Sequence, residues 1–275
     1  MLALQTTFRT LGTATPGLAA RLAEHLWSRP PKAPVRPEHH AALARAKLHR
    51  LPVEEMDLAL YSWGEEGPAA LLVHGWGGHA GQLTSLVEPL RQHGFRVLAL
   101  DAPCHGSSRG GSPTLLHYGR ALAAVARFAG GIEAVAAHSM GAAAVSWGMS
   151  EHGLAAKRAV FLAPSGDMKE ASLRFASLLA IPAPVRDEMQ RRFERRLGVT
   201  WDRFRVPAVA PAMRAQLLVI HDAGDREVPV QEGAAIAADW PGAKLIRTNG
   251  LGHHRLLRDA ATVAETADFL RHGHG

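Results

Sequence analysis

From Ala69 to Leu162 the chain repeats one pattern. A short strand-like run is followed by a loop, and then by a longer stretch with helical spacing. Ala69–Val73, Phe95–Leu100, Ile132–Ala137 and Arg158–Leu162 have the length of buried strands. Between them, Gly81–Gln92 puts Leu83, Leu86, Val87 and Leu90 on one helical face, and Thr114–Phe128 reads as a second helix. Strands separated by helices must cross over rather than turn back in a hairpin. The pattern therefore dictates an α/β fold, with a mostly parallel sheet covered on both faces.

Strand-like pieces also precede this region, at Leu51–Val53 and Leu58–Trp63. After it, Gln216–Ile220 and Ala243–Ile246 read as strands, and Val230–Asp239 and Ala260–His272 as helices. The alternation breaks after Pro164-Ser165-Gly166. Residues from about 167 to 206 are helical in pattern and arginine-rich, with no strand. This predicts a helical insertion, a cap over one end of the sheet. Its cluster Arg191, Arg192, Arg195 and Arg196 is expected to be a solvated helix face. A chain of 275 residues with 47% hydrophobic content can bury one large α/β core and carry such an insertion.

The formal charge of +6 is unevenly placed: residues 1–50 hold 8 Lys/Arg against 2 Asp/Glu, and the remainder balances. The chain thus divides into a basic N-terminal helical arm, 1–50, and an α/β domain, 51–275. Thr15-Pro16 predicts a helix start, with Leu18, Leu22 and Leu26 on one face. Pro30, Pro31, Pro34 and Pro37 form a stiff connector, and a weak helix follows over 38–48. The arm is expected to pack on the main domain; peripheral contact with an anionic membrane surface or acidic partner is the alternative.

No nucleic-acid motif occurs, and the basic surplus does not extend beyond the arm. Cys104 is the single cysteine, so a disulfide framework or cysteine metal cluster is excluded. No apolar run reaches the length of about 18 residues that a membrane span needs. The N-terminus lacks the continuous apolar core of a signal peptide. A reducing, cytoplasmic location is expected. His272 and His274 flank Gly273 at the tail but read as solvated rather than metal-ligating, and no phosphate-binding G-x-x-x-x-G-K-[ST] loop occurs. Neither metal nor cofactor is expected.

The chemistry centres on Ser139. It sits where the apolar run ending in His138 meets the alanine-rich Met140–Val145, a strand-to-helix corner that would push its hydroxyl out of the fold. A literal G-x-S-x-G search misses it, because Ala137 replaces the first glycine. The search finds Gly106-Ser107-Ser108-Arg109-Gly110 instead, but Ser108 lies beyond its strand and starts no helix. The bland reading of Ser139 is a helix N-cap. What outweighs it is the presence of partners.

His253 follows Gly250-Leu251-Gly252, between the last strand and the last helix, and is the candidate base; His254 is its competitor. Asp225, in the loop after Gln216–Ile220, is the candidate acid, and Asp222 is read as a turn residue. The backbone N–H groups of Met140 and of Trp76, in His74-Gly75-Trp76-Gly77-Gly78, are the candidate oxyanion donors.

With His74–Gly78, Asp101–Ser108, His138-Ser139-Met140-Gly141 and the Asp225 and His253 loops in this order, the chain resembles the α/β-hydrolase fold family over about residues 55–272. The resemblance implies a doubly wound, mostly parallel eight-stranded sheet with a cap after strand 6, and a structural role for His105. It departs from the family at Ala137 and at Asp222, which stands where a glycine often follows the histidine. The expected activity is a cofactor-free serine hydrolase acting on an ester or thioester. C–C bond hydrolysis or perhydrolysis on the same site are rivals, as is a non-catalytic or membrane-docked scaffold.

Overall fold

The computed structural model describes residues 2–273, so His274 of the tail lies outside the described residues. The N-terminal arm forms α1 (Leu2–Ala14), α2 (Pro16–Trp27) and α3 (Pro37–Ala44). The sheet follows with β1 (Lys47–Val53), β2 (Met56–Trp63) and β3 (Ala69–Val73), then a 3-10 helix over Ala80–Leu86 that runs into α4 (Val87–Gln92). Next come β4 (Arg96–Leu100), the short β5 (Arg109–Gly110), α5 (Leu115–Phe128), β6 (Ala134–His138), α6 (Met140–Glu151) and β7 (Arg158–Leu162). The insertion comprises α7 (Met168–Leu179), α8 (Ala183–Leu197) and α9 (Val206–Val209). The chain closes with β8 (Gln216–Asp222), α10 (Val230–Asp239), β9 (Lys244–Thr248), α11 (Gly252–Arg255) and α12 (Ala260–His272).

Eight strands run in the order β1-β2-β4-β3-β6-β7-β8-β9, and two-residue β5 adds a ninth beside β2. Pairing is antiparallel at β1–β2–β4 and parallel from β4 to β9. β1 begins at Lys47, ahead of the boundary expected at residue 51.

The strands alternate faces with a period of two, as a pleated sheet requires. Leu71, Val73, Leu98, Leu100, Val135 and Ala137 enter the core that holds α5 and α6. Ala70, Leu72, Val97, Ala99, Ala134 and Ala136 enter the opposite core, under Leu83, Leu86, Leu90, Phe269 and Leu270. Both faces of the central strands are thus buried, which explains why they read as unbroken apolar runs.

The arm packs on the rest of the chain, chiefly through the insertion. α2 lies against α8 of the insertion. Glu24 receives Arg192 at 2.9 Å and Arg196 at 3.3 Å. Trp27 meets Phe175 edge-on, with ring centroids 5.2 Å apart. The arginine cluster is therefore only half solvated: Arg191 and Arg195 pair with Glu188 on the outer face, while Arg192 and Arg196 join arm to insertion. On α2 the core side is Ala19, Ala20 and Ala23, whereas Leu18 is exposed. No helix among the described residues is long and apolar enough to cross a membrane.

Candidate active site

Parallel strands put their C-terminal ends on one edge of a sheet, and β6, β8 and β9 deliver Ser139, Asp225 and His253 there. Ser139 is the residue between β6 and α6. Its φ of 53° and ψ of −124° lie where a side chain is strained, at a cost of about 1–3 kcal/mol. Three backbone bonds hold it there: Ser139 N–H donates to Leu162 O at 3.0 Å, and Ser139 O accepts from Ala142 at 3.0 Å and Ser165 at 3.1 Å. Close packing adds to this. A Cβ on Gly141 would lie 2.7 Å from the Val73 and His74 carbonyls, and one on Gly75 would lie 2.7 Å from Ser139 Cβ. Ala137, by contrast, points its methyl into the core beneath, where it is accommodated. Ser139 makes no capping hydrogen bond, so the N-cap reading fails.

Ser108 is fully committed elsewhere. Its hydroxyl donates to Asp101 O at 2.6 Å and accepts from Ala59 N–H at 2.8 Å. It braces a loop that Asp101 also holds, through Ala80 N–H and Ser107 N–H.

His253 Nδ1–H donates to Asp225 Oδ2 at 2.7 Å, which leaves Nε2 with its lone pair free to take a proton. Asp225 Oδ1 accepts from the Glu227 and Val228 N–H groups, and its side chain is fully buried. Burial alone would push that carboxyl up. Hydrogen bonds from His221 and His253, and the nearby His253 charge, outweigh this and hold it far below the ordinary carboxylate range. His254 instead turns outward to Glu227 at 3.0 Å, which raises its pKa. Asp222 accepts from Gly224 N–H, Thr248 Oγ1 and Leu251 N–H, tying the Asp225 loop to the loop that carries His253. The hydrogen bond from Ser139 Oγ to His253 Nε2 is not formed among the described residues; such contacts commonly tighten only when substrate binds.

Trp76 and Met140 flank this corner. Gly75, directly before Trp76, abuts Ser139, and Met140 opens α6, where helix N–H groups lack intrahelical acceptors. His105 Nδ1–H donates to Pro103 O at 2.9 Å, and its ring stands edge-on to Trp76. It packs the loop and does not reach Ser139 by any hydrogen bond of the described residues.

Two further histidines emerge only in three dimensions. His138 Nε2–H donates to the His253 carbonyl at 3.0 Å, with the two rings 4.6 Å apart. Burial, reinforced by His253, holds the His138 imidazole well below its ordinary value. His221 Nε2 lies 3.0 Å from Val228 O and 3.3 Å from Asp225 Oδ2. The only sequence signal for either was a polar residue ending an apolar strand. A cleft of about 670 Å³ at the β9–α12 edge is lined by none of the five candidate residues.

With this geometry in place, comparison with known proteins gives a consistent result. The model of the alpha/beta hydrolase family matches residues 70–266. The chain belongs to the alpha/beta hydrolase family. A pimeloyl-[acyl-carrier protein] methyl ester esterase from Nitrosospira multiformis is 44% identical over 59 residues, a stretch that spans 22% of this chain and 22% of that relative. An esterase from Pyrococcus furiosus superposes with a TM-score of 0.65 at 19% identity, covering 88% of this chain and 97% of its own. A thermophilic esterase from Thermogutta terrifontis gives 0.63 at 19%, covering 84% and 99%. At such identities the two structures share the fold with this family member.

Proposed function

We propose that this alpha/beta hydrolase is a serine hydrolase cleaving a carboxylic ester or thioester of a small molecule. The observation that carries the reading is the buried 2.7 Å contact between Asp225 and His253, beside a strained serine that caps nothing. Ser139 Oγ attacks the acyl carbonyl as His253 Nε2 takes its proton. Asp225 holds the imidazole in the required tautomer and stabilises the imidazolium. The Trp76 and Met140 N–H groups receive the developing oxyanion. His253 then returns the proton to the leaving alcohol or thiol, giving an acyl-enzyme. Water, deprotonated by His253, attacks that ester and releases the acid and free Ser139.

The helices over 168–209 form the cap that selects the acyl group. Arg174, paired with Glu232, stands beside Ser165, whose N–H binds the Ser139 carbonyl, so the insertion is tied to the Ser139 corner. The methyl-ester activity of the Nitrosospira relative supports an ester rather than a C–C substrate. The test is a panel of p-nitrophenyl esters, acyl-thioesters and diketones. Turnover of the first or second class that disappears in Ser139→Ala supports the reading; turnover of diketones alone refutes it.

A further inference from the structure

The basic arm reaches the site. Its proline-rich connector, residues 28–36, leaves α2 on the insertion and within six residues lies against the loop that holds Trp76. Trp27 is wedged against Phe175 and Trp201 of the insertion, with centroids 5.2 and 5.7 Å away. Six residues later, Ala33 N–H donates to Gly77 O at 3.0 Å. Gly77 has φ +70°, and a Cβ there would lie 2.6 Å from Pro31 O and 2.9 Å from Pro31 Cγ. The backbone of the oxyanion loop is thus seated directly on the connector. Beyond it, α3 continues the contact: the His39 and His79 rings are 5.1 Å apart, and a Cβ on Gly81 would meet His39 Cβ at 2.9 Å.

These contacts join three parts of the site that the sheet itself does not join. Glu24 clamps the arm to the insertion through Arg192 and Arg196. The prolines at 30, 31 and 34 fix φ along the connector, so its length changes little and it transmits position. Gly77 and Gly78 favour a flexible loop, and flexibility is a poor property for a donor that must sit within a few tenths of an ångström of a developing charge. The connector supplies the missing restraint from outside.

We propose that the connector is a positioning element of the active site, in which Ala33 and Pro31 hold Gly77 and thereby fix the Trp76 N–H. This rests on the assignment of Ser139 and Trp76 proposed above. It gives the N-terminal arm a role in transition-state stabilisation instead of surface attachment.

The test uses the full chain and a fluorophosphonate, whose reaction does not depend on the natural substrate. Ser139 Oγ bonds to phosphorus, fluoride leaves, His253 takes the serine proton, and the phosphoryl oxygen occupies the oxyanion site. Two variants are compared with the intact protein. Ala33→Pro deletes the N–H, and Pro31→Gly slackens the connector without removing a donor. The expected result is a fall in kinact of about tenfold in each, a fraction of the loss from removing a donor outright. KI stays within about twofold, and Asp225→Asn is not mimicked in its pH profile. Unchanged kinact in both variants overturns the proposal, as does a parallel loss of kinact, KI and melting temperature in both, which marks mere unfolding. If the intact protein does not label at all, the Ser139 assignment fails and the proposal falls with it.

Discussion

His138 Nε2–H donates to the backbone carbonyl of His253 at 3.0 Å. The residue before the proposed nucleophile therefore holds the loop that carries the proposed base. Both ends of the proposed proton transfer are tied to one imidazole, which burial keeps neutral. In His138→Phe the ring volume is roughly kept but the donor is lost. The His253 carbonyl is left without its partner, which costs about 1–3 kcal/mol. We expect kcat on the best ester to fall about tenfold with KM nearly unchanged, and urea unfolding to register the stability loss. An unchanged kcat contradicts the positioning role.

Asp225→Asn preserves shape but removes the charge that fixes the His253 tautomer. The amide can offer an N–H where the imidazole needs an acceptor. A loss of kcat by roughly 10³–10⁴ is expected, with substrate binding preserved. Steady-state kinetics on wild type and variant read it directly, and a loss below tenfold excludes Asp225 as the acid.

Ser108 gives the opposite expectation. Its hydroxyl satisfies Ala59 N–H and Asp101 O in the core of the loop. Ser108→Ala strands one buried N–H, at about 1–3 kcal/mol. Urea midpoints should fall while kcat stays within about twofold. A collapse of kcat with stability intact would restore Ser108 as a nucleophile candidate.

The buried histidines make stability depend on pH. Burial, with His105 nearby, pushes His74 down to about 3, and its Nε2 accepts from Ala102 N–H as the neutral form. Its folded value lies below the unfolded one of about 6.5. Between these two pH values the unfolded chain binds a proton that the native chain does not. Stability therefore falls as pH drops through that window, by about 1.4 kcal/mol per unit for such a group, and His138 adds in the same direction. Asp225, with its folded value depressed, stabilises above the unfolded carboxylate value of about 3.9, and that contribution disappears only in stronger acid. Urea unfolding at pH 7.5 and 5.5 should show a loss of about 3 kcal/mol from the two histidines. Equal stability at both excludes neutral buried imidazoles.

The strand–helix alternation was legible because the central strands are buried on both faces and need no partner to be recognised. Arg158–Leu162 and Val230–Asp239 fall where their patterns put them. The corner at Ser139 was legible from context despite Ala137, since a core-facing methyl leaves the corner geometry intact. What escaped depends on distant partners. α1 is threonine-rich, with only Phe8 buried, so its helicity follows from packing against α2 and α7 rather than from its own pattern. The half of the arginine cluster that meets Glu24 looks the same in sequence as the half that meets Glu188. His138 and His221 look like any of the 16 histidines until the strands bring them beside His253 and Asp225.

The role of Ser139 is read most directly from the mass of the intact protein after fluorophosphonate treatment, with the adduct mapped to a peptide. One adduct is expected, on the peptide bearing Ser139, retained in Ser108→Ala and absent in Ser139→Ala. An unlabelled wild type, or an adduct that survives Ser139→Ala, contradicts that role.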